Sequence, residues 1–248
     1  MKKIILNFIA CMVMMNLISC QLDNYDTPDA QVFGSIRDKE TGELVQQEIG
    51  TSGDACNIQV LEHGFNIKVP QKWKIKLDGS YRNNLVFSGT YDIVLINGNF
   101  IPLDTIKAYN FHEGKNELNF DVIPNIRIKD PQISKNENGI IAKFKLEYAH
   151  SQGKIKTISL YGQKDQNPCN TFNLVKVEQD VSNDNYGFEN KNEYSSKEFT
   201  LNIPFDSDEG KKLTSGRSYF FRIGAKPTNL GEGIQEKYNY SPVVEIKL

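Results

Sequence analysis

Across 248 residues the chain has only four cysteines, three histidines and a single tryptophan. Four cysteines cannot knit a disulfide scaffold, and His63, His112 and His150 are too scattered to suggest a zinc site. Basic charge is not in excess either: 29 Lys and Arg face 31 Asp and Glu, a formal charge of −2. A nucleic-acid binder displaces condensed counterions with a surplus of positive side chains, so no nucleic-acid partner is expected. Beyond Cys20 no apolar run approaches the roughly 20 residues of a membrane-spanning helix. A Gly-rich phosphate loop, an HExxH and a GxSxG are all missing. No Ser–His–Asp constellation or carboxylate pair stands out among the acids. These absences lead us to expect a non-catalytic protein with no cofactor and no metal.

What is present starts at the N-terminus. Lys2 and Lys3 precede an apolar run, Ile4 to Ile18, which closes on Leu17-Ile18-Ser19-Cys20. The run has the length of an export signal and is too short to span a bilayer comfortably. A branched apolar residue, a small residue and then Cys resembles the bacterial lipobox, in which the Cys thiol is acylated and the chain is cut before it. Residues 1–19 then form a lipoprotein signal peptide, Cys20 the lipidation site, and 20–30 a polar tether to the membrane. An ordinary signal with a coincidental Cys is the competing reading. Several acyl chains on one residue exceed the two signals that stable anchoring needs. The acidic residues soon after Cys20 resemble those of surface-exported bacterial lipoproteins, and that resemblance implies a lipid-anchored position in the outer membrane, facing the cell surface. Asp23, Asp26 and Asp29 lack EF-hand spacing and read as a solvated tether. Cys11 leaves with the signal. Cys56 and Cys169 fall in different expected domains and read as separate buried thiols rather than a bridge.

The mature chain reads as β-strands from end to end. Trp73 to Leu77 and Gly139 to Ala149 alternate apolar and charged residues with period two, as half-buried strands do. Further strands are expected over Gln31–Arg37, Asn57–Leu61, Ile106–Phe111, Glu117–Val122, Asn125–Lys129, Ile155–Tyr161, Phe172–Val177, Lys197–Ile203, Ser218–Ala225 and Val243–Leu248. Ser88-Gly89 reads as a hairpin turn between Asn84–Phe87 and Thr90–Ile96. One helical turn is expected around Ser207–Leu213. Frequent turns and the lack of helices favour sandwiches over a βαβ fold, and the boundary falls near Pro124. The expected class is all-β, with two β-sandwich domains over 31–124 and 125–248.

Several of these residues resemble a known family. The stretch LDNYDTPDAQVFGSIRDKETGELV is similar to the start of Bacteroidota lipoproteins grouped as domain-of-unknown-function family 3823. So are LVFSGTYDIVLINGNFIPLDT, with Phe87, Gly89, Tyr91, Gly98, Phe100 and Pro102, and FDVIPNIRI, YFFRIGAKP and YNYSPVVEIKL. The resemblance covers nearly the whole mature chain through short motifs whose order matches. It implies a transthyretin-like or carboxypeptidase-regulatory-like sandwich followed by an immunoglobulin- or fibronectin-III-like one. It also implies a genomic setting beside SusC/SusD-type glycan uptake systems, and it brings no catalytic residues.

For a glycan ligand the residues to watch are aromatic. Trp73 is the one tryptophan, and Tyr186 and Tyr238 lie in polar, Asn-rich stretches, so these three are the candidate carbohydrate-stacking positions. Core or edge packing competes with that role at each. The sequence reading is an accessory glycan-binding or scaffolding subunit of a SusC/SusD-like polysaccharide uptake system. The alternative is a structural or protein-binding, adhesin-like spacer with no carbohydrate ligand.

Overall fold

The computed structural model describes residues 26–49, 55–67, 69–187, 189–190 and 194–248. The signal segment, Cys20 and the first part of the tether lie outside them, as does Phe188.

Eight strands build the N-terminal half: β1 (Ala30–Asp38), β2 (Asn57–Glu62), β3 (Gln71–Lys74), β4 (Ser80–Val86), β5 (Gly89–Ile96), β6 (Ile106–Phe111), β7 (Gly114–Glu117) and β8 (Phe120–Val122). In one sheet β1 pairs antiparallel with β4 and parallel with β7 and then β8. The other sheet is antiparallel, in the order β3-β2-β5-β6. The period-two pattern explains the layering. In β5, Tyr91, Ile93 and Leu95 are buried while the residues between them are half-exposed. They meet Val32 and Ile36 of β1 and Ile58 of β2 in one apolar core.

The second half holds β9 (Ile126–Lys135), β10 (Gly139–Tyr148), β11 (Lys154–Gln163), β12 (Val175–Asp180), β13 (Phe199–Pro204), β14 (Ser218–Thr228), β15 (Asn239–Tyr240) and β16 (Val244–Lys247). A three-stranded sheet, β13-β10-β9, packs on a five-stranded one, β12-β11-β14, in which β15 and β16 both pair with β14. All pairing here is antiparallel. Ile140, Phe144 and Tyr148 of β10 interlock with Ile158, Phe221 and Ile223 of the facing sheet. A short 3-10 turn at Gly210–Lys212 stands where one helical turn is expected. The chain is thus all-β, in two sandwiches with separate cores.

Local expectations depart from the structure at several points: the strand expected over Phe172–Val177 runs Val175–Asp180, and that over Glu117–Val122 divides into β7 and β8. Ser88-Gly89 does not close a hairpin: β4 pairs with β1 while β5 pairs with β2 and β6, so these residues carry the chain across from one sheet to the other. Gly89 makes that crossing at φ 153°, a backbone state that side chains with a Cβ disfavour. The expected strand over Trp73–Leu77 stops at Lys74, because Lys76 to Gly79 form a turn closed by the Gly79 N–H on Lys76 O at 3.0 Å. The strand from Ile126 does not end at Asp130-Pro131. Both residues bulge out opposite Phe144, with Asp130 at φ 51°, and the pairing resumes at Gln132. Cys56 and Cys169 are both free and buried, one in each domain.

Candidate functional site

Strand β14 has two faces with different partners. Tyr219, Phe221, Ile223 and Ala225 point into the second domain's core. Phe220, Arg222, Gly224 and Lys226 alternate with them on the outer face. Tyr161, Tyr238 and Tyr240 lie on that outer face too, and they form a small cluster with Cys169. Tyr161 stands 6.1 Å from Tyr238 and 6.2 Å from Tyr240, ring to ring. Gly224 makes room for them: a Cβ there would come within 2.8 Å of Tyr161 and 3.2 Å of Tyr240.

The first domain covers this face. Arg222 is fully buried, although it is a charged residue on the outside of its own sandwich. Its Nε donates to Ser241 O at 2.8 Å, and its Nη1 crosses the domain seam to Gln47 O at 3.0 Å. Nη2 reaches Leu77 O at 3.4 Å, and the Tyr240 ring lies 4.3 Å from the guanidinium carbon. Burial pulls the guanidinium down to about 10, while neighbouring Tyr240, Cys169 and Glu48 oppose the shift, so it stays charged at neutral pH. Glu48 in turn accepts from the Tyr240 hydroxyl at 2.8 Å and from the Thr171 hydroxyl at 2.7 Å.

Two asparagines stitch the same seam through the backbone. Asn99 Nδ2 donates to Tyr238 O at 3.0 Å, and Asn239 Nδ2 donates to Asn99 O at 2.8 Å. Asn239 Oδ1 accepts the Ile126 N–H at 3.0 Å. Beside them, buried Arg127 clasps Asp38 of the first domain with Nε and Nη2, the latter at 2.9 Å. Its Nη1 meets Glu147 and Glu40, each at 2.9 Å. Burial alone would raise the Asp38 pKa, but the Arg127 hydrogen bonds and charge and the Glu40 N–H outweigh it and hold the group below 3.8. The fork geometry of guanidinium on carboxylate suits such a site better than a lysine would.

A cleft opens on either side of the seam. The larger, about 900 Å³, is lined by the Asp38–Arg127–Glu147 cluster, the Thr41-Gly42 turn and Asp130-Pro131. Its carboxylates converge on Arg127 and act as an ion network rather than as a spaced acid pair. The smaller, about 600 Å³, has half-buried Phe220 and Val243 in its apolar lining, with exposed Ile49 beside them. Lys76, Gln166, Asn167 and Glu245 form its polar rim. A flat ring beside amide, carboxylate and ammonium groups is the arrangement that binds a sugar, whose C–H face packs on the ring while its hydroxyls find donors and acceptors.

The three aromatic residues singled out in the sequence do not make this site. Trp73 is buried in the first domain, paired with Ile58 and 5.8 Å from the Phe111 ring, and offers no face to a ligand. Tyr238 is buried at the seam, where its hydroxyl reaches Glu178 at 3.3 Å. Tyr186 is half-buried, set edge-on to Phe199, with Lys197 Nζ 4.8 Å above its ring. They lie in different places because each answers to a different core. Cys20 lies outside the described residues. Asp29 is no free tether carboxylate: it accepts from both the N–H and the hydroxyl of Ser88 at 2.6 Å. The residues missed were Phe220 and Arg222. The alternation of Ser218–Thr228 puts an aromatic and an arginine together on the non-core face, but nothing local shows that this face is covered. Among the described residues no cluster of three or more His, Cys, Asp or Glu is arranged to hold a metal ion.

Two family models match the chain. The first, described as "Protein of unknown function (DUF3823) N-terminal domain", covers residues 30–123, and the second, "Domain of unknown function (DUF3823_C)", covers 126–245. Among solved structures, a candidate carbohydrate-binding protein from Bacteroides uniformis is 36% identical, with a TM-score of 0.74, over 89% of this chain and 100% of that one. A DUF3823 family protein from Parabacteroides merdae has the same fold at 20% identity and a TM-score of 0.69, covering 90% and 100% of the two chains. Another from Bacteroides uniformis does so at 18% and 0.68, covering 89% and 100%. No curated protein matches the chain.

Proposed function

The chain belongs to the DUF3823 family, and from that premise we propose that it is a non-catalytic outer-membrane lipoprotein serving a SusC/SusD-like polysaccharide uptake system as an accessory glycan-binding subunit. The observation that carries the binding half of this reading is the Phe220 cleft, which sets apolar side chains beside hydrogen-bonding ones where the two domains meet. The relative described as a candidate carbohydrate-binding protein supports it, since it shares 36% of its residues with this chain. The lipobox ending at Cys20 supports the anchored position on the cell surface.

The test uses the unacylated protein from Gln21 onward. Affinity electrophoresis and calorimetry against host and plant polysaccharides should find at least one ligand. Phe220→Ala should then weaken binding about ten-fold, the value of roughly 1.4 kcal/mol of lost stacking, while Tyr186→Ala leaves it unchanged. No binding to any polysaccharide, together with no transporter co-purifying from native membranes, overturns the proposal. The second reading, a rigid spacer that binds protein, draws on the fixed seam around Arg222 and is selected if a protein partner is retained while every glycan fails.

A further inference from the structure

Eight large hydrophobic side chains are exposed among the described residues, and they are not scattered. Leu44 and Ile49 line the two clefts, and Phe172 follows Thr171 at the seam. The other five, Phe65, Ile67, Val69, Leu85 and Phe87, gather at the far end of the first domain. The register places all five at one end of the strands. Glu62, the last residue of β2, pairs with Tyr91, and the His63 N–H donates to Thr90 O at 2.9 Å, so the loop carrying Phe65, Ile67 and Val69 rises beside the start of β5. Val86, between Leu85 and Phe87, pairs with Ala30 at that same end. Ile67 is 80% exposed, Leu85 74% and Val69 71%. Asn99, Gln47 and Leu77, which meet the second domain, lie at the opposite end of these strands.

The chain enters the fold at this apolar end. Asp29 is pinned there by the Ser88 N–H and hydroxyl, and its own carbonyl accepts the Gly114 N–H at 2.9 Å. Cys20 stands nine residues earlier in the sequence. Fully extended, nine residues reach about 30 Å, and a flexible segment of that length averages about 15–18 Å. An acyl group on Cys20 therefore holds this end, and not the second domain, against the lipid.

We propose that the Phe65–Ile67–Val69 loop, with Leu85 and Phe87 beside it, is a membrane-contacting face that seats in the bilayer interface and points the second domain and both clefts away from the membrane. The inference rests on acylation of Cys20. Side chains that would be unpartnered in water become a second, weaker contact once the lipid brings them to a surface, as in other two-signal anchors.

The experiment uses the full mature chain, acylated in bacteria and reconstituted into phosphatidylcholine vesicles, with brominated-chain phosphatidylcholine as the quencher. Buried Trp73 supplies the baseline in the parent chain. Added tryptophan fluorescence in Ile67→Trp should be quenched at least two-fold and shifted to the blue, while that in Phe172→Trp should not change. If the protein fails to float with vesicles, acylation is absent and the proposal falls with its premise. If it floats but Ile67→Trp is no more quenched than Phe172→Trp, the anchor stands and the membrane-contacting face is wrong. Protection of Ile67→Trp only in native outer-membrane vesicles, and not in pure lipid, assigns the face to a protein partner and likewise overturns the proposal.

Discussion

Asp38 shows how one residue couples the folding of two domains to pH. Its carboxylate is nearly buried, yet it titrates below its ordinary value of 3.8 because the bidentate Arg127 outweighs the cost of burial. A carboxylate depressed in the folded state contributes stability that is fully present above its unfolded pKa and is lost as pH falls through the folded one. The seam should therefore loosen below about pH 4, the unfolded value for Asp, and hold at neutral pH. Asp38→Asn is expected to lower the unfolding free energy at pH 7 by roughly 3 kcal/mol, the low end for removing one partner of a buried pair, since Glu147 and Glu40 remain on Arg127. Urea denaturation at pH 7 and pH 3 checks this: the difference between variant and parent should shrink at the lower pH. The thiols behave by the same logic of burial. Burial pushes the Cys56 thiol up to about 12, which makes it a poor nucleophile at neutral pH.

At the scale of the strand, the irregularities are as specific as the regular pairings. In β6 the residues Lys107 and Ala108 face Asp92 alone, a bulge that leaves Ala108 at φ 53° with its N–H donated to Asp92 Oδ1 at 2.9 Å. Ala108 is exposed, so its methyl packs against little. Ala108→Gly should relieve the left-handed strain and raise stability by about 0.5–1 kcal/mol, read as a higher midpoint in chemical denaturation. An unchanged or lower midpoint would show that the bulge carries no strain. None of this was visible in the residues from Ile106 to Phe111, which read as an unbroken strand. A bulge depends on the partner's register, and a partner distant in sequence leaves no mark on the local pattern. The same limit explains Ser88-Gly89. Two strands flanking a glycine look like a hairpin from composition, but each found its partners elsewhere.

At the scale of the whole molecule, the outer face of the second sheet meets the first domain rather than water around Arg222. Arg222 satisfies carbonyls on both sides of the seam, at Ser241, Gln47 and Leu77. Arg222→Lys keeps a charge but offers a compact ammonium in place of a fork, so it cannot serve three carbonyls set apart in space. Leu77 O keeps the Gln47 N–H at 2.8 Å, so one buried carbonyl, at Ser241 or Gln47, is expected to lose its donor, at a cost of about 1–3 kcal/mol. Scanning calorimetry should therefore show one cooperative transition in the parent and two separated transitions in the variant, as each sandwich melts on its own. A single transition at the parent temperature would mean that the asparagine bonds and Arg127 suffice to couple the domains. That coupling bears on the proposed glycan site, because the Phe220 cleft takes its lining from both domains.

Local chemistry was legible in the chain from the start. The period-two alternation of Gly139–Ala149 and the break near Pro124 declare strands and two domains, since each depends on neighbouring residues alone. The candidate site was not legible. In YFFRIGAKP the alternation separates Phe220 and Arg222 from the core residues between them, and such an outward face ordinarily meets water. Only the packing of residues near 47, 77 and 99 against it turned an exposed arginine into a buried crosslink and an exposed phenylalanine into part of a cleft's lining. The physical reason is range: backbone patterns are set over a few residues. Burial of the second face was decided by a domain whose contacts lie more than a hundred residues away in sequence.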